Sequence, residues 1–88
     1  MAEQDQYDTE FVLHSVGDRL RIAREAAGLS RADIAARTKI AERHLTAIEE
    51  DRFEDLASST YAVGFARAYA RTVGLDEADI ARQVRSVL

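Results

Sequence analysis

Cysteine, proline and tryptophan are all missing from this 88-residue sequence, and glycine occurs only four times. Without cysteine there can be no disulfide and no thiolate metal site. Without proline and with little glycine, sharp turns are scarce, which favours helices joined by short connections. Aromatics are few, three Tyr and three Phe, so alanines and aliphatic side chains must build most of the core. No apolar run approaches the roughly 18 residues of a membrane span. The first residues are acidic and polar, unlike a secretory leader. Catalytic groupings are missing too. The two histidines, His14 and His44, have no motif partner, and there is no glycine-rich phosphate loop. We therefore expect no catalytic residues, no metal, no cofactor and no small-molecule ligand. The length suits a single domain with one modest core.

The formal net charge of −4 is unevenly placed. Glu3, Asp5, Asp8 and Glu10 lie in a stretch with no base, and residues 11–88 hold twelve charges of each sign. Residues 1–10 have no apolar period and read as a disordered acidic tail. Residues 11–88 read as the folded domain, with Phe11, Val12 and Leu13 as a lead-in. The near-neutral domain lacks the strong basic footprint on which duplex DNA binding usually rests.

Cap and stop residues divide the domain into five helices, near 15–27, 31–37, 41–50, 59–73 and 77–87. Ser15 with Asp18, Ser30 with Asp33, Ser58 or Ser59, and Asp76 with Asp79 supply the starts. Gly28 and Gly74 supply stops. Val16, Leu20, Ala23 and Ala27 recur at helical spacing in the first helix. Ile34, Ile40, Leu45 and Ile48 point inward from the second and third. Ile80, Val84 and Leu88 form the stripe of the fifth. Phe53 and Leu56 anchor a loop. Glu49, Glu50 and Asp51 crowd the negative end of the third helix, where Arg52 is expected to relieve part of the repulsion.

The block LSRADIAARTKIAERHLTAIEE has the pattern of a helix-turn-helix. A short capped helix carries the small Ala35, a turn holds Ile40, and a second helix turns Leu45 and Ile48 inward. A reading helix would present Glu42, Arg43, Thr46 and Ala47 to base edges. Arg43 could read guanine and Thr46 a thymine methyl. Arg31 and Lys39 would flank them as phosphate contacts. Against that, residues 40–55 hold six acids and two bases. Arg19, Arg21, Arg24 and Arg37, like Arg31 and Lys39, read more readily as solvated helix faces than as a phosphate track.

The fourth helix is more apolar than one core face requires. On a helical wheel its apolar arc covers about 220°, where one buried stripe needs little more than 100°. Either it is buried on two sides, or it offers an apolar strip to a partner. Tyr61, Phe65 and Tyr69 with Arg67 and Arg71 have the composition of a protein interface. Phe65 and Tyr69, one turn apart, are expected to be at least partly exposed.

The run VGDRLRIAREAAGLSRADIAARTKIAERHLTAIEEDRFEDL, followed by TYAVGFARAYARTVGLDEADI, closely resembles the N-terminal domain of the RodZ cell-shape proteins over residues 15–82. The resemblance implies an all-α, lambda-repressor-like five-helix bundle at the cytoplasmic face of the inner membrane. It implies binding to the actin-like filament protein MreB through the fourth helix. Carried over residue by residue, it points to Phe65 and Tyr69, with Tyr61, Arg67 and Arg71 beside them. It also implies a basic linker, a transmembrane helix and a periplasmic domain beyond this segment, so any membrane contact would be made by residues outside it. Two positions depart from the family pattern. Asp51 stands where the family has Gly, and Ala57, Ser58 and Ser59 occupy a stretch that often carries Pro. A DNA-binding regulator of the phage-repressor type is the competing reading.

Overall fold

The computed structural model describes residues 14–88, and its described residues form five α-helices and one short 3-10 turn with no strand. The helices are α1 (Val16–Ala26), α2 (Arg31–Thr38), α3 (Glu42–Glu49), α4 (Ser59–Val73) and α5 (Glu77–Val87), with the 3-10 turn at Phe53–Asp55. The expected acidic tail and the Phe11–Leu13 lead-in lie outside the described residues.

Local capping explains where these helices begin and end. The Ser15 hydroxyl accepts from the Asp18 N–H at 3.0 Å. Ser30 and Asp33 form a reciprocal capping box at the start of α2. Ser58 caps α4 by accepting from Tyr61 N–H, and Asp76 caps α5 by accepting from Ala78 and Asp79. The turn after α4 runs through Gly74 at φ 81°, a left-handed conformation that glycine adopts without steric cost. Lys39, at φ 64°, makes the tight turn between α2 and α3, and Ile40 is buried directly behind it. This is the helix-turn-helix corner that the sequence pattern requires.

Asp51 is also left-handed, at φ 59°. Its side chain offsets that cost. It accepts from the Gly17 N–H at 2.9 Å and from the Ser15 hydroxyl at 2.5 Å, tying the chain after α3 to the start of α1. A glycine there could make neither bond. Gly17 permits the close approach, since a Cβ on it would sit 2.5 Å from the Ile48 carbonyl oxygen and 2.6 Å from that of Glu49.

α4 is the central helix, packed against α1, α2, α5 and the 3-10 turn. Ala62, Ala66, Tyr69 and Ala70 on it are buried completely, together with Leu20, Ile34, Leu45, Ile48, Ile80 and Val84 from the other helices. The wide apolar arc of α4 is thus mostly the mark of burial on two sides. Two predicted stripes run out early: Ala27 and Leu88 are exposed.

Candidate functional site

The first functional candidate is what remains of α4 after its neighbours have covered it. Tyr61 is 54% exposed. Its ring lies 5.5 Å, centroid to centroid, from that of Phe65, one turn later. Phe65 is half-buried, and its other side stacks on His44 of α3 at 5.6 Å with 28° between the ring planes. Three rings from two helices therefore make a continuous ladder from solvent to the core edge. His44 has no motif partner in the sequence. It is a half-buried member of this ladder instead, a pairing that no sequence spacing reveals because 21 residues separate it from Phe65.

Tyr69 does not belong to that surface. It was expected to be exposed, and it is 0% exposed. The phenol donates to Glu49 Oε2 at 2.5 Å and accepts from Arg24 Nε at 3.2 Å. Arg24 in turn grips Glu49 with Nε at 2.8 Å and Nη2 at 3.1 Å, and its Nη1 donates to the Leu29 carbonyl at 2.9 Å. Arg31 closes the outer side, 3.3 Å from Glu49 Oε1. The Glu49 side chain is 1% exposed and that of Arg24 11%. Charges so deeply buried persist only when paired and fully hydrogen-bonded, and no buried side-chain polar atom lacks a partner among the described residues. Burial, reinforced by the Glu49 hydrogen bond, pushes the Tyr69 phenol well above its ordinary range. The Glu49 carboxylate raises the affinity of Arg24 for its proton. The network joins α1, α2, α3 and α4, so Tyr69 braces the fold and Arg24 is not a solvated cation.

Arg67 and Arg71 flank α4 on its exposed side, both paired to Glu77, the first residue of α5. Arg67 Nη2 lies 3.1 Å from Glu77 Oε1, and Arg71 Nε lies 2.9 Å from Oε2. The two guanidinium groups hold the Glu77 carboxyl at about 2, well below the usual carboxylate range. Their Nη1 groups donate to no described residue. The sequence reading places this pair in an interface-like cluster. Four of the pair's six guanidinium nitrogens already serve the α4–α5 junction.

The second candidate surface is the helix-turn-helix itself. Glu42 and Arg43 are exposed at the start of α3, and Thr46 is half-buried, its hydroxyl donating to the Glu42 carbonyl at 3.2 Å. Ala47 is buried and cannot read a base. Among the described residues, Arg37, Lys39 and Arg43 have no carboxylate within salt-bridge distance. The acidic count of this region overstates its surface charge. Glu49 is internal, and Arg52 pairs with Glu50 and Asp55, relieving the crowding as expected.

Comparison with known proteins agrees with this architecture. The structure is similar to that of YmfM, a membrane protein from Staphylococcus aureus proposed to bind DNA, with a TM-score of 0.77, 29% identity, and coverage of 83% of this chain and 89% of that one. No helix among the described residues is long and apolar enough to cross a membrane. A family model described as a helix-turn-helix domain matches residues 19–80, from within α1 to the first turn of α5, so the chain belongs to that helix-turn-helix family.

Proposed function

We propose that this chain is the cytoplasmic protein-interaction domain of a RodZ-like cell-shape protein, docking on an actin-like MreB filament through the exposed edge of α4. The observation that carries the reading is the Tyr61–Phe65–His44 ladder. Tyr61 is a large ring presented to solvent on a rigid helix, backed by packed aromatics, which is how interface anchors are held. Arg67 and Arg71 stand on the same helix with donors to spare. Tyr69 supports this face from behind and makes no direct contact. Enzymatic chemistry has no place in the reading, since a helix-turn-helix domain acts by binding.

The test is co-sedimentation of Tyr61→Ala with purified filaments. Losing an anchor costs about 2 kcal/mol or more, roughly a 30-fold weaker Kd. The melting temperature should stay within about 2 °C of the parent, because the ring is mostly exposed. Undiminished co-sedimentation of this variant refutes the proposal.

DNA binding is the second reading. It is favoured by the bases Arg37, Lys39 and Arg43 around the α2–α3 turn, with Thr46 one turn beyond Glu42, and by the likeness to YmfM, whereas Arg31, at the far end of α2, is engaged by Glu49. Glu42, exposed at the head of α3, opposes it, because its carboxylate would repel the phosphates that Arg43 would approach. We expect non-specific duplex binding no tighter than the usual range of about 10⁻⁴–10⁻⁶ M. Fluorescence anisotropy with mixed-sequence duplex tests this. Sub-micromolar binding with a steep salt slope would make DNA the ligand.

A further inference from the structure

Gly64 stands in the interior of α4 and is exposed. Glycine at such a position makes a helix less stable than alanine would. Nothing in the fold asks for it. Its backbone is ordinary right-handed helix, since the left-handed glycines are Gly28 and Gly74. A Cβ built on it would meet no atom within 4 Å. Gly17 is the contrast, because a Cβ there would strike two backbone carbonyls. The fold therefore needs Gly17 and makes no use of the side chain that Gly64 lacks. What glycine does supply on an exposed helix face is close access to the backbone for another chain.

The surroundings of Gly64 define that chain. Tyr61 lies three residues before it and Arg67 three after, so both are its neighbours on the helix surface. Gly64 lines a groove of about 420 Å³ between α4 and α5, with Val63, Arg67, Arg85 and Leu88. The charged lining is the two arginines, with no carboxylate. Arg85 has no carboxylate within salt-bridge distance among the described residues. Arg67 gives Nε and Nη2 to Glu77 and keeps Nη1. Two guanidinium groups beside apolar Val63 and Leu88 suit the carboxylates of a protein segment. A nucleic acid backbone would need a longer row of bases. We infer that Gly64 is a contact notch: an acidic segment of the docked filament lies in this groove, its backbone against Gly64 and its carboxylates at Arg85 and Arg67. Resting on the filament reading of α4, this names the chemistry of what docks there.

The test pairs filament co-sedimentation of the full chain with thermal melts. Gly64→Ala should raise the melting temperature by roughly 3–8 °C, because the methyl has room and the helix gains. The same methyl should weaken the filament Kd about 10-fold by overfilling the contact. A fold role would instead lower the melting temperature, and that result overturns the inference. Gly64→Leu should abolish binding while the domain stays folded. Arg85→Gln should leave the melting temperature within about 2 °C, weaken binding and flatten its salt dependence; binding equal to the parent's overturns the acidic occupant. Unchanged filament binding in Gly64→Ala overturns the notch, including the case in which that variant loses self-association or duplex affinity, which would give the groove to a second copy or to nucleic acid. Loss of binding in Tyr61→Ala with none in Gly64→Ala and Arg85→Gln removes this inference alone. No co-sedimentation of the parent chain removes the filament reading and the notch with it.

Discussion

Replacing Arg24 by Met leaves Glu49 buried with the neutral Tyr69 phenol on one oxygen and one charged, half-exposed partner, Arg31, 3.3 Å from the other. Four interactions disappear: two bonds to Glu49, one to the Leu29 carbonyl and one to Tyr69. Removing one member of a buried pair costs about 3–5 kcal/mol, because the other charge stays desolvated. A domain of this size has only about 5–15 kcal/mol in total. At 4–8 °C per kcal/mol, the melting temperature should fall by roughly 12 °C or more. The triple change Arg24→Met, Glu49→Met, Tyr69→Phe removes the three buried members of the network, leaves half-exposed Arg31 free to turn to water, and fills the volume with apolar atoms. It should recover to within about 1 kcal/mol of the parent, since whole-network replacement is often neutral or stabilising. Thermal and urea melts followed by circular dichroism read both variants. A cost below about 1 kcal/mol for Arg24→Met, or single costs that simply add up in the triple variant, would refute the claim that these groups act as one buried unit.

Four further outcomes follow from the same geometry. Gly17→Ala forces a methyl against two backbone carbonyls, and should lower stability by about 2–3 kcal/mol in urea titration; a loss under 0.5 kcal/mol would mean that α1 can shift aside. Asp51→Gly removes the left-handed strain yet forfeits the bonds to Gly17 and Ser15, so the urea midpoint should fall, by about 1 kcal/mol after the two effects offset, and a raised midpoint would reverse that weighting. Glu77 has a depressed carboxyl pKa of about 2, so its contribution is complete above the ordinary value near 4.5 and is lost as pH falls toward 2; an NMR titration with a midpoint near 4.5 would disprove the double clamp, and Glu77→Gln should flatten the acid limb of the stability curve. Phe65→Ala should weaken filament binding and also destabilise the fold, because that ring serves both; an unchanged melting temperature would place it wholly on the surface.

Helix boundaries were legible because caps and stops act within a few residues. Ser30 and Asp33 find each other in any chain that begins a helix there. The helix-turn-helix corner was legible because Ile40 must be buried wherever two short helices meet so closely. Gly at the family position of Asp51 gives way to a residue that pays for its conformation with hydrogen bonds, and those bonds reach 34 and 36 residues back, beyond any local pattern. A trace of the buried network was present in the sequence. Arg24 follows Leu20 by four residues, and Glu49 follows Leu45 by four, so each charge lies on the same helix face as a core leucine. That their opposite charges meet is a fact of tertiary packing. The same holds for Tyr69. A helical wheel gives the width of an apolar arc and is silent on how many layers cover it. α1, α2 and α5 close over α4 from different directions, burying Tyr69 and leaving Tyr61 in water, though the two residues have the same chemistry and share one helix. Sequence alone determined the helices and their order. The tertiary structure decided which rings a partner could reach, because exposure depends on what the rest of the chain places in front of them.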